Sequence, residues 1–270
     1  MSEIFFKTIK EISGLFKRFF TSEESAHKNG FLQRRNAHVK LIAFLLLIIL
    51  SISLSELYLL VSVFLTSVIL AYASKIKLKE FFSRFLFIPI FSLIVVSPQL
   101  FLIQGSSLFS LFGLEITVGG FIYVIRFFMR VLCSISFITL LLMTTCFKDL
   151  VNSLSSIGLP RTAAFILLIT YRYLVLFFSE LHKMLVARES RFLNKNNFRF
   201  NWKSTRNLFG SFLIRSLERG ENVSLAMKAR GGDKYSRTQN SVMNEKDILF
   251  LAISLSFTIL IGGIEWQIII

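Results

Sequence analysis

The sequence predicts an all-α polytopic membrane protein, with about five transmembrane helices and a cytoplasmic helical domain that carries two long amphipathic helices. Three observations carry this. Hydrophobic residues make up 54% of the 270, phenylalanine alone accounting for 31, and the mean hydropathy is +0.65, above a soluble domain's usual range. Several runs lack charge over lengths that approach the roughly 20 residues needed to cross a bilayer. The net charge of +15 falls between and beside the apolar runs, which is the positive-inside pattern of a membrane protein and not the single basic face of a nucleic-acid binder.

Residues 1–40 read as a cytoplasmic amphipathic and basic segment. Phe5, Ile9, Ile12, Phe16 and Phe19 interleave with Lys7, Lys10, Lys17 and Arg18, which predicts a helix on the cytoplasmic leaflet and no cleavable signal. Residues 41–147 hold transmembrane helices 1–4. The runs 41–55 and 57–74 are each a little short, predicting a tight helical hairpin with Glu56 near the outer surface. Lys75, Lys77, Lys79 and Arg84 then return the chain to the inside. The run 85–103 carries Pro89 and Pro98, and Pro98 is expected to end or kink it. The loop 104–116 has no Lys or Arg and one acid, Glu115, as an outside loop should. Residues 117–147 form a long apolar helix interrupted by Arg126 and Arg130, four apart and hence on one face. These arginines either pair inside the bundle with an acid such as Glu56 or Glu115, or meet a partner subunit. Cys133 and Cys146 read as two buried thiols.

Residues 148–246 read as a cytoplasmic domain and 247–270 as the last span with the C-terminus. Over 148–246, 17 Lys and Arg stand against 7 Asp and Glu. The run 163–179 resembles a span by hydropathy, but Arg161 precedes it, Arg172 interrupts it, and Lys183 and Arg188 follow. If it crossed, the basic stretch 180–246 would lie outside, against the positive-inside rule. The expectation is therefore a hydrophobic helix docked at the cytoplasmic face, covered by its own domain or by a partner, with a six-span arrangement as the alternative. Residues 211–233 predict an amphipathic helix with Leu213, Leu217, Val223 and Met227 recurring at helical spacing. Arg215 and Glu218 are spaced to pair on its polar face. Gly231 and Gly232 supply a left-handed cap, leaving Arg230 at the tip.

Much chemistry is absent from the sequence. It holds no G-x-x-x-x-G-K-[ST] loop for phosphates, and no H-E-x-x-H or C-x-x-C pattern for a metal. Acids stand at the edges of the apolar runs, where a proton-coupled transporter would want them at the middle. A stand-alone secondary transporter or channel is the competing reading, and a membrane enzyme has no nucleophile–base pair to support it. The absences shift the work to partners.

The residues Thr144-Thr145 with Asp149-Leu150, then Ile157-Gly158-Leu159-Pro160-Arg161, then Tyr171-Arg172-Tyr173, resemble the transmembrane T component of energy-coupling-factor (ECF) importers. Ala187-Arg188-Glu189 and Ala229-Arg230-Gly231 are similar to that family's paired Ala-Arg motifs, and Lys40-Leu41 to the opening of its first span. Residues 215–231 are nearest the cobalt and nickel branch, CbiQ. Glu189 departs from the glycine or serine often found there. The likeness implies a non-catalytic coupling subunit in the cell membrane that touches ATPases through Ala187, Arg188, Glu189, Ala229, Arg230 and Gly231. Pro160, Arg172, Arg215, Glu218 and Arg219 support that domain. It further implies two P-loop ATPase subunits as partners and a membrane S component that binds cobalt, nickel or a vitamin. No cofactor is expected on this chain, ATP being used by the partners, and no nucleic acid is expected.

Overall fold

The computed structural model describes residues 30–103, 107–111, 114–190, 198–231 and 245–269. The leaflet helix expected over 1–20 lies outside them. The described residues divide into two compact units, one within Ser22–Ser153 and Ser241–Ile270, the other within Leu154–Asn240.

The first unit is a helical bundle. Its elements are α1 (Ala37–Ser53), α2 (Leu57–Ala73), α3 (Leu78–Phe85), α4 (Phe87–Val96), α5 (Gln99–Leu102), β1 (Ser107–Leu111), β2 (Leu114–Thr117), α6 (Val118–Thr144), α7 (Phe147–Ile157), which runs on past the unit's edge, and α10 (Glu245–Ile269). The 27-residue α6 is the hub, packing against α1, α2, α3, α4 and α5, while α10 lies on α1. Phe44 and Phe137 meet with ring centroids 5.9 Å apart, inside a core that includes Leu60, Val63, Phe81, Leu140 and Met143. Gly120 lets α6 approach α5 closely, since a Cβ there would stand 2.9 Å from the Gln99 and Leu100 carbonyl oxygens. Within the stretch expected from sequence to be an outside loop, the described residues form two strands. β1 and β2 pair antiparallel with Ser107 opposite Thr117 and Leu111 opposite Leu114.

The prolines act as their chemistry requires. Pro89 lacks the N–H that would bond the Phe85 carbonyl, and the helix is interrupted at Leu86 between α3 and α4. Pro98 likewise separates α4 from α5, so the stretch Leu78–Leu102 runs as one apolar length in three pieces.

Helix ends are satisfied by side chains from elsewhere in this unit. After α2, Lys75 takes a left-handed φ of 54°, with Ile76 N–H on the Ala71 carbonyl at 3.2 Å and Lys75 N–H on Tyr72 at 3.0 Å; this is a Schellman closure with lysine in glycine's usual place. Gln33 Nε2 donates to the Ser74 carbonyl at 3.1 Å. At the end of α6, the fully buried Lys40 donates through Nζ to the Thr144 carbonyl at 2.8 Å. The first residues of α10 join this region through Asp247, which accepts from Asn36 N–H at 3.3 Å and lies 3.8 Å from Arg35. The α1–α2 turn is held from three directions. Arg130 Nε donates to the Leu54 carbonyl at 2.9 Å, Ser55 N–H donates to the buried Glu265, and Arg126 stands 3.9 Å from Glu56.

Outward-facing side chains of the bundle are large and apolar, among them Ile49, Leu65, Ile69, Phe87 and Ile94, the surface a bilayer requires. Among the described residues, four stretches are long and apolar enough to cross a membrane: Leu78–Leu102, Val118–Thr144, Arg161–Arg188 and Glu245–Gln267. α1 and α2, 17 residues each, are shorter apolar helices of roughly 25 Å. The chain is thus a helical multi-pass membrane protein, whose described residues include one small hairpin of strands. Two details differ from the sequence expectations. The helix over 117–147 stops at Thr144 and α7 begins at Phe147. Cys133 is buried and donates to the Leu60 carbonyl at 3.3 Å, but Cys146 falls in the break between α6 and α7 and is only half-buried. Asp247 and Glu265 stand near the two ends of α10, as expected of edge acids, and both are buried.

Replacing Lys40 with Met removes the donor from the buried Thr144 carbonyl and keeps most of the side-chain volume. The expected cost is about 1–3 kcal/mol, read as a lowered thermal unfolding midpoint of the detergent-solubilised protein. An unchanged midpoint would mean that this bond contributes nothing to holding α1 on α6.

Candidate functional site

The second unit is built on two long helices, α8 (Arg161–Ser190) and α9 (Phe198–Ala229). The Ile157-Gly158-Leu159-Pro160-Arg161 segment is a stop followed by a start. Gly158 takes a φ of +143°, disfavoured for any side chain, and Leu159 N–H turns back to the Leu154 carbonyl at 3.1 Å. Pro160 then offers its carbonyl to Ala164 N–H at 3.1 Å, opening α8, and is itself exposed. The hydrophobic run 163–179 and the amphipathic stretch leading to Arg188 prove to be one continuous helix of 30 residues.

Side-chain contacts fix the register of α8 on α9. Phe177 and Phe212 meet edge to face at 5.9 Å. Glu180 lies 3.8 Å from Arg215 and 3.5 Å from Arg219. Arg188 Nε donates to Ser204 Oγ at 3.0 Å. From the Phe177–Phe212 contact to Arg188–Ser204 the numbers rise on α8 and fall on α9, so the pair is antiparallel. Two expectations are corrected by this geometry. Arg215 reaches across to Glu180 and does not pair with Glu218 on its own helix, because the interhelical acid is the less exposed partner and can take two guanidinium groups at once. The apolar positions of α9 also fall on two faces. Phe212, Val223 and Met227 line the groove against α8, whereas Leu213 and Leu217 turn away from it, 59% and 61% exposed. α9 starts at Phe198, well before the helix expected from 211.

The two Ala-Arg tips end up at opposite ends of this pair. Ala187 is exposed and Arg188 half-buried in the last turn of α8, with Glu189 the next residue of that turn. Arg230 closes α9, its N–H shared between the Ala226 and Met227 carbonyls at 3.2 and 3.1 Å. Gly231 follows with φ +78°, the left-handed cap the sequence predicts, and Gly232 lies outside the described residues. Ala229, Arg230 and Gly231 are all exposed. Since Arg188 sits on Ser204, Arg230 lies 26 residues further along α9 (230 − 204), or roughly 39 Å at 1.5 Å per residue.

Arg172, Glu218 and Arg219 are exposed on the same two helices. Arg126 and Arg130 belong to the other unit, where they hold the α1–α2 turn. Sequence reasoning did not single out Glu180, Ser204 or the Phe177–Phe212 crossing. Glu180 had a signal, being one of two acids between Arg161 and Arg215; the other two have none, because a helix crossing point depends on both partners. Among the described residues of this unit, few side chains in the apolar part of α8 are fully buried. Among the described residues no group of His, Cys, Asp or Glu could hold a metal ion.

Spin labels in place of Ala187 and Ala229 should give an interlabel distance of about 35–50 Å by double electron–electron resonance. A distance below about 25 Å would refute the antiparallel register, since both tips would then lie at one end.

Comparison with known proteins places the chain. Residues 28–242 match the family profile of the cobalt transport protein CbiQ. Two proteins of Methanocaldococcus jannaschii are similar along most of their length. Uncharacterized protein MJ1571 is 28% identical over 267 residues, 96% of this chain and 91% of that protein. Uncharacterized protein MJ1089 is 29% identical over 239 residues, 86% of this chain and 88% of that protein. The match takes in both compact units and both arginine tips, and the chain belongs to the CbiQ family of cobalt transport proteins.

Proposed function

We propose that the chain is the transmembrane T component of an ATP-driven ECF importer for cobalt or nickel. In this reading α8 and α9 are the coupling helices. They lie on the cytoplasmic side and receive the closing motion of two P-loop ATPase subunits, and the membrane bundle passes it to an S component that binds the cargo. The chain itself hydrolyses nothing and binds no cofactor.

The observation that carries the reading is the placement of the two Ala-Arg tips. The antiparallel pair of helices presents them at separate ends, about 39 Å apart along α9. Two tips at that spacing suit two separate docking grooves, one on each ATPase. Each tip has a small alanine that permits close approach and a guanidinium whose planar fork matches a carboxylate. Glu180, bridging Arg215 and Arg219 at 3.8 and 3.5 Å, ties the helices together at mid-length, so that a push on one tip is carried to the other. The bistable element is the helix pair, driven by the partners' nucleotide cycle.

Replacing Arg188 and Arg230 together with Ala should abolish co-purification with the ATPases or uncouple hydrolysis from metal uptake, each truncation costing about 2–5 kcal/mol at a desolvated charge pair. Wild-type assembly and uptake in the double variant would sink the proposal. A topology reporter fused after Asn194 should read cytoplasmic; an exterior signal would mean that α8 crosses the membrane and that the tips do not share one compartment with the ATPases.

A further inference from the structure

On the arm of the α8–α9 pair that runs toward Arg188 lies an open groove of about 850 Å³. Among its described lining residues, Lys183, Arg188, Arg215 and Arg219 face one acid, Glu180. Glu180 takes both Arg215 and Arg219, yet one carboxylate offsets one positive charge. Glu218 lines the adjoining cleft together with Arg215 and Arg219, so four cations less two acids leave an excess of two. A guanidinium pair of this kind has more N–H donors than Glu180 can accept, and phosphate oxygens match the remainder.

A second groove of about 550 Å³ adjoins the first between the same helices, and its lining is apolar, with Leu174, Phe178, Leu181, Phe212 and Met227. Arg219 lines both grooves. A cationic pocket and an apolar trough therefore meet across a single side chain, and each volume falls in the roughly 300–1,000 Å³ range of ligand sites. A free phosphate or an acidic peptide would use the first alone. A bare fatty chain would use the second alone. A phosphate and an acyl chain on one scaffold use both.

We propose that this composite groove binds an anionic phospholipid, with its phosphate at Lys183, Arg215 and Arg219 and an acyl chain along the apolar trough. α8 is itself long and apolar enough to cross a membrane, and basic pockets beside membrane helices recruit anionic headgroups. This site requires the chain in a membrane and is independent of the ATPase reading.

The test is native mass spectrometry of the full-length chain in neutral detergent, titrated with phosphatidylglycerol or phosphatidylcholine. Phosphatidylglycerol should be retained in preference to phosphatidylcholine. Lys183→Gln, which leaves both pairs to Glu180 in place, should weaken phosphatidylglycerol retention about fivefold, and Arg215→Gln with Arg219→Gln should remove the preference. Lys228→Gln with Arg230→Gln, an equal loss of charge at the far end of α9, should leave retention unchanged. The site is refuted if Lys183→Gln and the arginine pair both bind as wild type, or if the far-end variant loses retention equally, which would mean diffuse basicity. Displacement of the lipid by glycerol 3-phosphate at equal concentration would also refute it, leaving a phosphate site without a role for the chain.

Discussion

Hydrocarbon offers no hydrogen bonds, so each helix end in a membrane bundle must find its donors and acceptors within the protein. The bundle unit is organised by that requirement. Its helix ends are met by side chains distant in sequence: Gln33 on Ser74, Lys40 on Thr144, Arg130 on Leu54, Glu265 on Ser55. Each such bond ties together parts of the unit distant in sequence as well as satisfying a backbone group, so the polar residues of this greasy unit double as its cross-links. The arginines of α6 belong to this scheme. Arg126 and Arg130 lie four apart on one face and are spent on the α1–α2 turn, which gives them a structural use inside the bundle.

The unit within Leu154–Asn240 solves a different problem. Its described residues form little apolar interior, and among them the two helices meet at an aromatic crossing of Phe177 and Phe212, a carboxylate shared by two guanidinium groups, and a hydroxyl under Arg188. Most of its apolar side chains, Leu213 and Leu217 included, are presented outward. Such a unit is a frame that displays residues, and its geometry is set by where the helices cross, not by a packed core.

What could be read in advance follows that division. Apolar runs, the hairpin at Glu56, the break at Pro98 and the glycine cap after Arg230 are legible because each depends on local chemistry at a fixed spacing, whereas the break before Pro89 is not. The pairing of Arg126 with Glu56 was one of two acids considered, and charge alone narrowed it that far. Arg215 was assigned to Glu218 because helical spacing sees only neighbours on one helix; the true partner, Glu180, is 35 residues away (215 − 180) and becomes a neighbour only through the crossing. The same blindness placed Leu213 and Val223 on one face, since an apolar stripe gives no sign that it has split between a helix partner and the exterior. The strands β1 and β2 are not legible in a stretch whose clearest signal is its lack of Lys and Arg, which marks an outside loop and says nothing of backbone pairing.

The single helix joining the two tips is also a ruler with a phase. One residue added to α9 between Ser204 and Arg230 would lengthen the spacing by only about 1.5 Å yet swing the terminal guanidinium by roughly 100° around the axis. Four added residues would nearly restore the direction while lengthening the spacing by about 6 Å. Orientation and reach at the far tip are thus separately adjustable, and a helix without proline between those positions keeps both in register over its whole length.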